Sequence, residues 1–162
     1  MIPRQLYING KDAWETWGVF LEENSERAFL LPANNKEFVS NKNRSEHGKR
    51  VLVNNPRLDE RDVQLVFCIF ANSEDDFLEK YESFVAELNS GWVQMKVIKV
   101  KKVYNFTTTS FLDLGYYDDK GKLSVKFNEP NPDDRSIIRF YMALGTQDSK
   151  IVQTQDNKVV IK

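Results

Sequence analysis

The side chains able to do chemistry are few and scattered. His47 is the sole histidine and Cys68 the sole cysteine, and they lie far apart in the chain. A metal centre needs clustered His, Cys or carboxylate ligands. This sequence has no cysteine pair, no zinc-protease helix and no calcium-loop spacing. Nucleophilic catalysis by a Ser-His or Cys-His pair would have to use His47 as its base. His47 sits among polar residues and reads as a solvated loop side chain, while Cys68 lies in an alternating strand that reads as buried, where thiols are inert. The seven glycines are dispersed, mostly at turns, so no Gly-rich loop can cradle a phosphate. Adjacent acids recur at Glu22-Glu23, Asp59-Glu60, Glu74-Asp75-Asp76, Asp118-Asp119 and Asp133-Asp134. Each falls at a turn or helix start, where acids cap, favour the helix dipole or solvate a loop. The expectation is no catalytic residue, no cofactor-binding residue, no metal ligand and no cofactor, hence no enzyme.

One constellation remains. Lys96, Lys99, Lys101 and Lys102 stand beside Tyr104 and Phe106, and lysines with aromatics on a barrel strand can bind single-stranded nucleic acid through phosphates and stacked bases. A charged edge strand with its aromatics turned to the core explains the same residues. The formal net charge is -1, with 23 basic against 24 acidic residues. No global attraction to nucleic acid or to an anionic membrane follows, so nucleic-acid binding stands as the alternative reading and a nucleic-acid partner is not expected.

These residues need elements to hold them. The length suits one domain with a single core, supplied by eleven Phe and three Trp among its apolar residues. One cysteine gives no intrachain disulfide. No apolar run is long enough to span a membrane and the N-terminus lacks the apolar stretch of a secretory signal, so a soluble chain made in the cytoplasm is expected. The clearest unit is Asp62 to Val97. Val63, Leu65, Phe67, Ile69 and Ala71 alternate as a strand. Ser73 opens a helix over about residues 73–89, with Asp76 three positions on as a relative of the capping box. Phe77, Tyr81, Phe84, Val85 and Leu88 make one stripe along it. Asn89-Ser90-Gly91 ends the helix, and Val93, Met95 and Val97 resume the alternation.

Around this unit, Leu6 to Ile8 reads as a strand before an Asn9-Gly10 turn, and Ala13 to Phe20 as a buried aromatic stretch. Residues 33–50 form a long polar loop, and Val51 to Val53 a short strand. The apolar phase flips between Val97 and Ile98, which predicts a bulge or a bend between packed sheets. A Thr-rich strand through Tyr104, Phe106, Leu112, Leu114 and Tyr116 turns at Asp118-Asp119-Lys120-Gly121 and returns through Leu123, Val125 and Phe127. A strand at Ile138 to Leu144 and a hairpin pairing Ile151-Val152 with Val159 to Ile161 complete the chain. The predicted class is α+β, mainly β: a split barrel or β-sandwich with one main amphipathic helix and a C-terminal β-hairpin extension. Residues 1–132 form the barrel domain and 133–162 the extension, within the same domain or as an assembly arm.

The order of elements carries a resemblance. Ile8-Asn9-Gly10-Lys11-Asp12 leads into Trp14 to Val19, then come the polar loop, the entry Arg57-Leu58-Asp59-Glu60-Arg61-Asp62-Val63, the capped helix and the long hairpin closing on Phe127-Asn128-Glu129-Pro130. From Leu6 to Pro132 this resembles the N-terminal domain of distal tail proteins of long-tailed phages or prophages. The resemblance implies a non-enzymatic virion-tail component, a split barrel with a helix that assembles into a hexameric ring of its own copies and meets other tail proteins. At this length the carbohydrate-binding-like domain that many such proteins add is not expected. Assembly then needs a heterologous interface, and three segments are candidates. They are the polar loop, with Lys42, Arg44, His47 and Arg50; the hairpin tip, with Asp118, Asp119 and Lys120; and the C-terminal segment, with Ile137, Phe140 and Tyr141.

Overall fold

The computed structural model describes residues 5–137, together with the strand pair at residues 152–153 and 159–160. One antiparallel sheet organises the described residues. Its strands are β1 (Leu6–Ile8), β2 (Lys11–Asp12), β3 (Val19–Leu21), β6 (Arg61–Phe70), β7 (Trp92–Val97), β8 (Lys102–Tyr117) and β9 (Lys120–Glu129), in the order β2-β1-β7-β8-β9-β6-β3. A short β10 (Ser136–Ile137) pairs with the start of β8. The sheet is not closed, since β2 and β3 are its two edges. A five-residue helix, α1 (Ala13–Trp17), runs directly from one edge to the other. Asp12 caps it, with Oδ1 accepting from the Trp14 and Glu15 amides at 3.0 and 3.3 Å.

The alternation of β6 places Val63, Leu65, Phe67 and Ile69 in the core, as its period of two requires. Helix α3 (Glu74–Leu88) lays Phe77, Phe84 and Leu88 onto the same core. Ser73 Oγ accepts from the Asp76 amide, as the spacing predicts, while Asp76 accepts from the amide of Asn72, the residue before the cap, in a variant of the capping box. Aromatic rings fill the centre: Phe67 meets Phe84 at 5.2 Å and Phe127 at 6.0 Å, and Trp17 meets Phe84 at 5.6 Å. Burying each such side chain contributes about 1.5–3 kcal/mol. The class is α+β, mainly β, with one long amphipathic helix, as the sequence predicts.

Four features differ from the sequence reading. The phase flip at residues 97–98 is a reversal and not a bulge: β7 and β8 are antiparallel neighbours, with Val97 opposite Lys102 and Lys101 at φ 60° in the turn. The turn after β8 holds two residues, Asp118 and Asp119, instead of four, because Tyr117 pairs with Lys120. Strand β8 carries two register shifts against β9, at residues 108–110 and 111–113. The first reverses the inward phase, and Leu112, the unpaired residue of the second, is exposed although its even position matches buried Tyr104 and Phe106. A second helix, α2 (Glu23–Leu30), occupies a segment with no clear helical stripe and buries only Ser25 and Phe29. Strands β11 (Val152–Gln153) and β12 (Val159–Val160) pair antiparallel. The strand expected at Ile138 to Leu144, with Phe140 and Tyr141, lies outside the described residues.

Candidate assembly surface

Between α2 and β6 the chain leaves the sheet. Of residues 31–60, all but Ala33 and Phe38 are exposed. The segment is not a formless loop. The Lys36 amide donates to Arg57 O at 2.7 Å, and the Asp59 amide to Asn34 O at 2.8 Å. Further out, β4 (Val39–Asn41) pairs antiparallel with β5 (Arg50–Leu52). The result is a two-stranded arm, reaching roughly 25 Å from stem to tip at strand spacing. Its backbone hydrogen bonds join its own two limbs.

Both faces of this ribbon carry apolar side chains. Val39 lies opposite Leu52 and shares a face with it, while Val51 and Val53 project from the other. Val39 is 73% exposed, Leu52 65% and Val53 62%. A lone two-stranded ribbon is marginal in water, and contiguous exposed apolar side chains mark an interaction surface. Around the tip stand Lys42, Arg44, His47 and Arg50, all exposed. Arg50 is held along the arm by a two-pronged bond to Glu46, at 3.0 and 2.7 Å.

The base of the arm is fixed by a buried ionic cluster. Arg61 donates through Nε to Glu129 Oε2 at 2.8 Å, and its Nη1 caps the end of α2 on the carbonyls of Ala28, Phe29 and Leu31. Arg61 Nη2 also lies 2.8 Å from Glu129 Oε2 as an ion contact, off the hydrogen-bond axis. Arg135 grips the same carboxylate, Nε to Oε1 at 2.7 Å and Nη2 to Oε2 at 2.8 Å. Both guanidinium groups face the Tyr104 ring, whose hydroxyl donates to Phe29 O at 3.1 Å. One carboxylate thereby joins the root of the arm at Leu31 to the segment leading into β10. Sequence reasoning missed this cluster, because its members lie far apart in the chain.

The other sequence candidates fall elsewhere. Asp118, Asp119 and Lys120 form the tip of the β8–β9 hairpin, but this tip is stitched to the body. Asp119 O accepts from the Ala71 amide at 2.8 Å, Tyr116 stacks on Phe77 at 5.6 Å, and Lys120 sits over Phe70 at 5.5 Å. Ile137 ends β10 with 65% of its surface exposed, while Phe140 and Tyr141 lie outside the described residues. The arm and hairpin tip are thus separate features.

The lysine constellation does not form a stacking platform. Tyr104 and Phe106 are fully buried, so the aromatics do turn to the core, but β7 and β8 are interior strands of the sheet and not the charged edge that the sequence suggested. Lys96 lies over Tyr7 at 5.4 Å and Lys99 pairs with Glu26, whose hydrogen bond raises the Lys99 pKa. Burial pushes the Cys68 thiol pKa up, which opposes thiolate chemistry. A cleft of about 290 Å³ has Leu6, Trp14, Val19, Phe20 and Val97 on its walls, with the Glu26–Lys99 pair at its rim. Among the described residues no three of His, Cys, Asp and Glu are grouped to hold a metal ion, and no helix is long and apolar enough to cross a membrane.

The architecture is similar to the crystal structure of the Dit protein of phage SPP1, described as a paradigm of the hub adsorption apparatus in phages that infect Gram-positive bacteria. The two superimpose with a TM-score of 0.54 at 13% identity, over 78% of this chain and 49% of that one. This chain thus spans about half the length of that protein, and at this identity the likeness is one of fold. No family model and no curated protein matches the sequence.

Proposed function

We propose that the chain is a non-enzymatic structural component of a phage or prophage tail, of the distal-tail or baseplate-hub kind, working in the virion tail through protein–protein contacts. The observation that carries this reading is the arm: about thirty residues held off the sheet, with apolar side chains on both faces. Such a ribbon gains its stability by lying on another molecule. The fold shared with the SPP1 protein supports the choice of a tail over other assemblies.

Arm and body are different surfaces, so a contact between copies is heterologous and closes into a ring when its rotation divides a full turn. The family resemblance implies a hexamer, with other tail proteins above and below. Residues 1–132 then act as the rigid unit. Residues 133–162, tied to it through Arg135, act as a second contact element. Light scattering and electron microscopy of the purified chain test this. Rings or discrete oligomers are expected, lost when residues 36–57 are replaced by a short Gly-Ser turn. A chain that stays monomeric at high concentration, alone and with a tail-tube protein, contradicts it.

A further inference from the structure

We infer that the arm docks on the outer face of α3 of a second copy of this chain. This rests on the proposed self-assembly and names the receiving surface. Residues 36–57 carry six cations, Lys36, Lys42, Arg44, Lys49, Arg50 and Arg57, against Glu37 and Glu46, four positive charges net. Among the described residues, only Arg50 of these six has an ionic partner.

Helix α3 is the opposite in charge. It holds Glu74, Asp75, Asp76, Glu79, Glu82 and Glu87 against Lys80 alone, five negative charges net. Asp76 is paired with Lys80, and Glu87 with Lys11. Glu74, Asp75, Glu79 and Glu82 are exposed and have no cation partner among the described residues. In their midst is Leu78, 43% exposed on a helix whose other large apolar residues face the core.

A ribbon with apolar faces and a cationic tip meets, on this helix, an apolar side chain ringed by carboxylates. An apolar centre with a charged rim is the anatomy of a protein interface, and opposite potentials set orientation and speed of encounter. Arm and α3 arise from different parts of the fold, so the contact runs head to tail and leaves a pair of copies with one free arm and one free helix face between them.

Charge reversal tests this. Two variants are made: K42E/R44E/K49E on the arm, and E79K/E82K on the helix. The helix changes avoid the first turn, where acids support the dipole. Circular dichroism and melting temperature confirm that each variant folds. Sedimentation velocity over a concentration series should show each variant alone assembling about tenfold or more weakly than the unaltered chain. The five-fold variant carrying both reversals should regain most of that loss. Raising salt from about 0.05 to about 0.5 M should weaken the unaltered chain.

If E79K/E82K assembles like the unaltered chain, while replacement of residues 36–57 abolishes assembly, the α3 face is overturned and the structural role stands. Equal loss in both variants without recovery in the combined one also overturns the pairing. A monomeric unaltered chain overturns both.

Discussion

Glu129 anchors the most deeply buried ion pairs among the described residues. It is fully buried and takes bonds from Arg61 and Arg135 at once. Breaking a buried pair costs more than the pair contributes, because the surviving charges stay desolvated. Glu129→Ala should therefore lower stability by about 3–5 kcal/mol in urea unfolding, with the α2 terminus and arm root losing amide protection first. Gly18 is a second such position. It ends α1 at φ 64°, and a Cβ there would stand 2.1 Å from the carbonyl oxygen of Phe70. Gly18→Ala should destabilise by about 1–3 kcal/mol, read as a lower melting temperature. Acid sensitivity belongs to this scale too. Hydrogen bonds from Lys11 and Asn9 hold the Glu87 pKa below its ordinary value. A depressed carboxylate stabilises the fold above its unfolded pKa, and that contribution is lost as pH falls through the folded one. Glu87→Gln should make stability less steep below about pH 4.5; an unchanged acid limb contradicts this.

At the scale of elements, legibility followed pattern strength. Strand β6 and helix α3 were readable because each repeats its own period without interruption, and Ser73 with Asp76 marked the helix start. Helix α2 was not, since it buries Ser25 and Phe29 only, and Glu22 offers no side-chain cap. The β7–β8 reversal was hidden because its turn, Ile98 to Lys101, has no Gly, Asn or Pro to announce it. The arm was half legible. Its polar tip and the strand at Val51 to Val53 could be read, but the pairing of Val39 with Leu52 comes only from the register. Since the arm's backbone hydrogen bonds run between its own limbs, replacing residues 36–57 should change folding stability by less than about 1 kcal/mol. A melting temperature many degrees lower would show that the arm belongs to the core.

For the whole molecule, two kinds of surface sit on one sheet: a body whose large apolar side chains mostly fill a core, and an arm whose apolar and cationic side chains mostly have no partner among the described residues. That asymmetry is what an assembly part needs and what a self-sufficient domain avoids. His47 is exposed on the arm and Cys68 buried in the sheet, each as the sequence reading has it. Mass in solution across a concentration series, for the unaltered chain and for the chain without residues 36–57, tests the account most directly. The account predicts a discrete oligomer for the first and a folded monomer for the second. A folded monomer at every concentration for both, with no added mass from tail-tube protein, would contradict it.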